Sequence, residues 1–147
     1  MYSHLLVPLD GSELSERAAL ASLELARKLG ARVTAFVAEA EPPLPHMGSN
    51  VAVYQHDTAE HLARTEAHAR KVLDQFKARA TELGVPCEGH FRRSNAVDDA
   101  IVAAAQKYGC DMIVMVTHGR GALGELLFGS HTKNVISRSQ LPILVLH

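Results

Sequence analysis

The residue types from which phosphate sites are built are concentrated between Val116 and Thr132. Gly119-Arg120-Gly121-Ala122-Leu123-Gly124 spells G-x-G-x-x-G after a predicted strand. A dinucleotide site would need an acidic ribose ligand about 20 residues further on, and Gln140 and Leu141 stand there instead. Gly124 through His131 has the two glycines of a P-loop but no Lys-Ser/Thr pair to hold the β- and γ-phosphates. What remains is Gly129-Ser130-His131-Thr132 at the start of a predicted helix, where unpaired N–H groups and the positive dipole end suit an anion. Ser130 adds a hydroxyl, and Gly119 lets a ligand approach the backbone closely. Taken alone, the same residues serve equally well as turn glycines and a serine N-cap.

Other constellations carry less. His61 and His68 lie seven apart on one predicted helix, and His46 and His56 lie in or beside an irregular stretch. No H-x₃-H or Cys/His pair at ligand spacing occurs, so a metal site is not expected and these read as surface histidines. Ser12, Ser130 and His118 lack the G-x-S-x-G elbow of a serine triad. His118 can serve a phosphate or a backbone group equally. Arg92 and Arg93 read as solvent-exposed at a strand end. Cys87 and Cys110 are too few for a disulfide framework and flank apolar strands, which suggests packing in a reducing cytoplasm.

These residues must be positioned by regular elements, and hydrophobic periodicity supplies them. Strands are predicted at His4 to Leu9, Arg32 to Ala38, Pro86 to Arg92, Asp111 to Thr117 and Leu141 to Leu146. Pro8 falls near a strand end, where a missing N–H costs least. Helices are predicted at Glu13 to Leu29, Thr58 to Leu83, after an Asn95 cap as far as Gly109, and Ser130 to Arg138. In the first helix Leu14, Ala18, Ala21, Leu25 and Leu29 recur at helical spacing. Glu39 to Asp57, rich in Pro and Gly, reads as a mobile surface loop.

Strand and helix alternate, which implies parallel strands, right-handed crossovers and helices on both faces. The expected class is α/β, a Rossmann-like five-stranded parallel sheet of order 3-2-1-4-5. In such sheets ligands bind beyond the carboxyl ends of the strands, where the winding reverses. That point lies between strands one and four, and so between Asp10-Gly11-Ser12 and Thr117-His118-Gly119.

Composition narrows the class further. Residues 1–147 suit one domain, and 47% hydrophobic with 21% charged residues is a globular composition. A net charge of −1 lacks the basic excess of a general nucleic-acid binder. No apolar run approaches the roughly 20 residues of a membrane helix, and no leader peptide is expected.

The loop and both ends of the chain together resemble one family. Val116-Thr117-His118-Gly119, nine residues, then Gly129-Ser130 is similar to the nucleotide signature of the universal stress proteins: G-x-x-G, nine residues, then G with Ser or Thr. Leu6-Val7-Pro8-Leu9-Asp10-Gly11-Ser12 resembles that family's first strand and turn. Asn134-Val135-Ile136 through Leu141-Pro142-Ile143-Leu144-Val145 resembles its last helix and strand. The first signature glycine is Val116 here, whose side chain either crowds a ribose or points into the sheet.

The resemblance implies an adenine nucleotide α-hydrolase-like fold that binds ATP, or AMP or ADP, with Mg²⁺ or Mn²⁺. It implies an adenine contacted by Asp10 and packed by Val37, with Pro8 and Leu9 among the nucleotide-binding residues, and a ribose lined by Met115 and Val116. His118, Gly119, Gly129, Ser130, His131 and Thr132 would surround the phosphates. It also implies a homodimer through Leu141 to Leu146, a role in stress response, and at most slow hydrolysis or self-phosphorylation. The competing expectation is a dimeric interaction module of the same fold that binds no nucleotide.

Overall fold

Short apolar runs alternate with amphipathic ones along this chain, and they become strands and helices in strict alternation. The computed structural model describes residues 1–10, 13–116 and 130–146. Within them lie β1 (His4–Pro8), α1 (Glu13–Leu29), β2 (Arg32–Glu39), α2 (Val51–Glu82) and β3 (Cys87–Arg93). They are followed by α3 (Val97–Lys107), β4 (Met112–Val116), α4 (Ser130–Arg138) and β5 (Ile143–Leu146). The strands form one parallel sheet in the order β3-β2-β1-β4-β5, as expected.

Alternate strand residues feed two cores. Leu5, Val7, Val33, Ala35, Val37 and Val114 pack under α1 and α2, together with Leu23, Ala26, Ala69 and Phe76. Leu6, Phe36, Ile113 and Met115 pack under α3 and α4, with Ile101, Ala105 and Val135. Both sheet faces are thus covered, which is why the central strands are apolar almost throughout.

The helices stop where glycine allows it. At the end of α2, Gly84 takes φ +69°, its N–H bonds the Thr81 carbonyl at 3.1 Å, and the Val85 N–H bonds the Ala80 carbonyl at 2.9 Å. This double closure requires a left-handed residue, and Gly30 and Gly109 repeat it after α1 and α3.

Four expectations are corrected. The helix expected from Thr58 starts at Val51, because the Asn50 side chain caps it by accepting the Ala52 N–H at 2.9 Å. The irregular stretch therefore shrinks to residues 40–50. Its start is tied down, since the Glu41 N–H bonds Asn95 Oδ1 at 3.0 Å and the Ser94 N–H bonds the Glu39 carbonyl at 2.9 Å. Asn95 is consequently no helix cap: α3 begins after Ala96, whose N–H is held by Ser94 Oγ at 3.0 Å. In α1 the buried stripe runs Ala18, Ala19, Ser22, Leu23 and Ala26, while Ala21 is exposed. Arg93 is only part-exposed and clamps α2, donating to Thr65 Oγ1 and, at 2.8 Å, to the Leu62 carbonyl.

Candidate crevice at the carboxyl ends of the central strands

The two central strands part company near their carboxyl ends, and proline chemistry accounts for it. The β1–β4 ladder pairs Leu5 with Met112 and Leu6 with Ile113 and goes no further, whereas β1 stays paired with β2 as far as Pro8 and Phe36. The His4 carbonyl accepts the Asp111 N–H at 2.9 Å, so His4 directs its backbone groups toward β4. Leu6 and Pro8 point the same way by alternation. Pro8 has no N–H to give β4 at that position. On the other side, the Leu9 N–H reaches the Phe36 carbonyl at 2.8 Å. The β1–β4 ladder thus ends where the strand order reverses, and exposed Asp10 follows β1 just beyond that point.

The helix that follows β4 is directed to the same end. β4 and β5 are parallel, so α4 must run back across the sheet and start near the carboxyl end of β4. Its first residue is Ser130, as expected. Val135 is fully buried in the same core as Leu6 and Met115, which seats α4 on that face. Thr132 is 3% exposed, so its side chain faces inward. His131 turns sideways to α3, with Nδ1 2.5 Å from Asp98 Oδ1, and Asn134 Nδ2 donates to Asp98 Oδ2 at 2.7 Å.

The expected site residues divide between the two faces. Met115 is buried under α3 and α4, and Pro8 lies in register with Leu6 on that face. Leu9 and Val37, 8% and 1% exposed, are core residues under α1 and α2, so a ligand at their level meets backbone rather than side chain. His118, Gly119 and Gly129 lie outside the described residues, as do the side chains of Val116 and Ser130. Sequence reading missed Asp98; nothing in its spacing pointed to α4.

Two further features bear on chemistry. A cleft of about 300 Å³ between α1 and α2 is lined by Leu9, Leu23 and Phe76, with Glu16, Arg79 and Glu82 around it. It lies on the face opposite Met115. Burial pushes the thiols of both Cys87 and Cys110 up to about 11, so neither is a reactive nucleophile at neutral pH. Among the described residues no group of three or more His, Cys, Asp or Glu could hold a metal ion, and no helix is long and apolar enough to cross a membrane.

A doubly wound parallel sheet with its crevice at the switch point defines a Rossmann-like α/β protein. The family model described as the universal stress protein family matches residues 1–147. A universal stress protein of Thermus aquaticus is 33% identical over 147 residues, covering 99% of this chain and 98% of its own. In structure, MJ0577 of Methanocaldococcus jannaschii superposes with a TM-score of 0.76 at 27% identity, over 99% of this chain and 96% of that one. An Archaeoglobus fulgidus universal stress protein, solved in complex with dAMP, superposes with a TM-score of 0.66 at 21% identity, over 99% and 98% of the two chains. The chain belongs to the universal stress protein family.

Proposed function

We propose that this protein binds an adenine nucleotide, with ATP as the principal ligand and Mg²⁺ or Mn²⁺ as its counter-ion, and acts in the cytoplasm as a nucleotide-responsive stress protein. The observation that carries this reading is the switch point of the sheet, where the β1–β4 ladder ends at Leu6 and Ile113 and Asp10 follows β1. The start of α4 supplies N–H groups for phosphate. That a member of the same fold was solved with dAMP supports the choice of an adenine nucleotide. Asp10 and the backbone of Leu9 and Val37 would face the base, Met115 and Val116 the ribose, and Gly119, Gly129 and Ser130 the phosphates, beside His118, His131 and Thr132. The sequence offers no obvious general base beyond Asp10, which this reading assigns to the adenine end, so turnover would be slow or absent.

We also propose a homodimer through residues 141–146. β5 pairs with β4 on one side, and its four apolar residues are each half-buried, leaving an edge suited to an antiparallel partner strand.

Calorimetry of the intact protein with ATP, ADP and AMP tests the main reading. Binding near the micromolar range, about −8 kcal/mol, is expected. No heat and no thermal shift at millimolar nucleotide would overturn it and leave a dimeric interaction module.

A further inference from the structure

Asp98 stands in the first turn of α3, outside every contact assigned to the nucleotide. Its side chain is 14% exposed, and both carboxylate oxygens are engaged by α4. Oδ1 lies 2.5 Å from His131 Nδ1, and Oδ2 accepts from Asn134 Nδ2 at 2.7 Å. Its neighbour Asp99 pairs with Arg138 one turn further along α4. His131, Asn134 and Arg138 recur at three and four residues, so they form one polar stripe facing α3. Val135 and Thr132 form the inward stripe, 0% and 3% exposed.

The two stripes have different consequences. Val135 and Thr132 seat α4 against the core. Asp98 grips residues 131 and 134, which brackets the first turn and constrains both tilt and rotation there. α4 has nine residues, too few for a helix to be stiff by itself. The direction of its leading N–H groups therefore depends on its neighbours, and Asp98 is a described neighbour that holds His131 in its first turn.

The sign of the charge makes the role testable. A carboxylate near a phosphate site is unfavourable by simple Coulomb repulsion. If Asp98 acted by charge alone, removing it would tighten phosphate binding.

We propose that Asp98 is a positioning residue: through His131 and Asn134 it aims the first turn of α4 at the phosphate of the bound nucleotide. This rests on the adenine-nucleotide reading above. The test titrates the intact protein with AMP and with adenosine, comparing wild type with Asp98→Ala and Asp98→Asn. Asp98→Ala should weaken AMP about tenfold while leaving adenosine within about twofold, because only the phosphate contact is misaligned. Asp98→Asn keeps one carbonyl acceptor and should recover part of the loss. Unchanged or tighter AMP binding in Asp98→Ala would overturn the proposal. So would a parallel fall in adenosine affinity, or an asparagine variant no better than alanine. If the alanine variant does not fold, Asp98→Asn decides alone: AMP weakened with adenosine intact supports the role, and wild-type AMP affinity overturns it. Wild-type protein that binds no AMP overturns the nucleotide reading itself, a result distinct from a wild type that binds AMP and a variant that binds it equally.

Discussion

Arg93, the last residue of β3, donates through Nη2 to the carbonyl oxygen of Leu62 on α2 at 2.8 Å. The contact ties the sheet edge to the N-terminal arm of α2, residues 51–64, in which no residue is fully buried. His68 Nδ1 with Glu39 Oε1 at 2.6 Å, and His61 Nε2 with the Ala40 carbonyl at 3.1 Å, reinforce the same junction. Arg93→Ala should cost about 1–3 kcal/mol by leaving Thr65 and Leu62 without their charged donor. Hydrogen exchange should accelerate across residues 51–64. Unaltered exchange there would show that the arm is held by other contacts.

α2 also approaches β3 closely at Gly89. A Cβ built there would lie 3.2 Å from Lys77 Cδ and 3.3 Å from Leu73 Cδ2. Lys77 is long and can move aside, but Leu73 is 8% exposed and locked in the core. Gly89→Val should therefore destabilise by about 1–3 kcal/mol through overpacking. Urea denaturation measures it, and a variant as stable as wild type would mean that α2 shifts without cost.

The His4 imidazole is 5% exposed, with Nε2 2.7 Å from Thr34 Oγ1 and no hydrogen-bond partner at Nδ1. Burial, aided by the nearby Arg32 charge, lowers its pKa from 6.5. Above pH 6.5 the ring is neutral in both native and unfolded chains, and its full contribution to stability is present. As the pH falls, the unfolded chain takes up a proton that the native state resists, and stability declines until the native-state pKa is passed. The urea midpoint of wild type should thus fall more steeply between about pH 7.5 and about pH 5.5 (roughly one unit to either side of a free imidazole) than that of His4→Phe. Identical slopes would exclude His4 as a source.

The proposed nucleotide site can be probed at three residues of the signature it resembles. Gly129→Val should abolish ATP binding by filling the phosphate position, whereas Ser130→Ala should cost about 1–2 kcal/mol, one hydroxyl contact to a charged group. Val116→Gly separates two arrangements. Tighter binding would mean that the valine crowds the ribose. Lower stability with unchanged affinity would mean that it packs in the sheet. Calorimetry and thermal melting on the same samples report both quantities.

Leu144→Lys places a charge on the apolar edge strand β5 and should shift the protein from dimer to monomer in light scattering, with far-UV circular dichroism unchanged. A wild type that stays monomeric at high concentration would remove the dimer proposal.

Local residue order already contained the alternation of strand and helix, the order of the sheet and its switch point between β1 and β4. Each follows from short-range rules: apolar runs mark covered strands, glycine marks helix ends, and parallel connections have one hand. Ser130 as the first residue of α4 was legible for the same reason. Other features depend on partners far apart in the chain. Asn50 starts α2 seven residues early, and a short Val-rich run gave no helical period to announce it. Arg93 looked like a solvated charge until Leu62 and Thr65 were placed beside it. Nothing in the sequence marked Asp98, and only the packing of α3 on α4 brings His131 and Asn134 to its two oxygens. Pro8 was legible as a strand end. That its missing N–H falls on the β4 side, where it unpairs the central strands, is set by register, which no single strand carries in its own sequence.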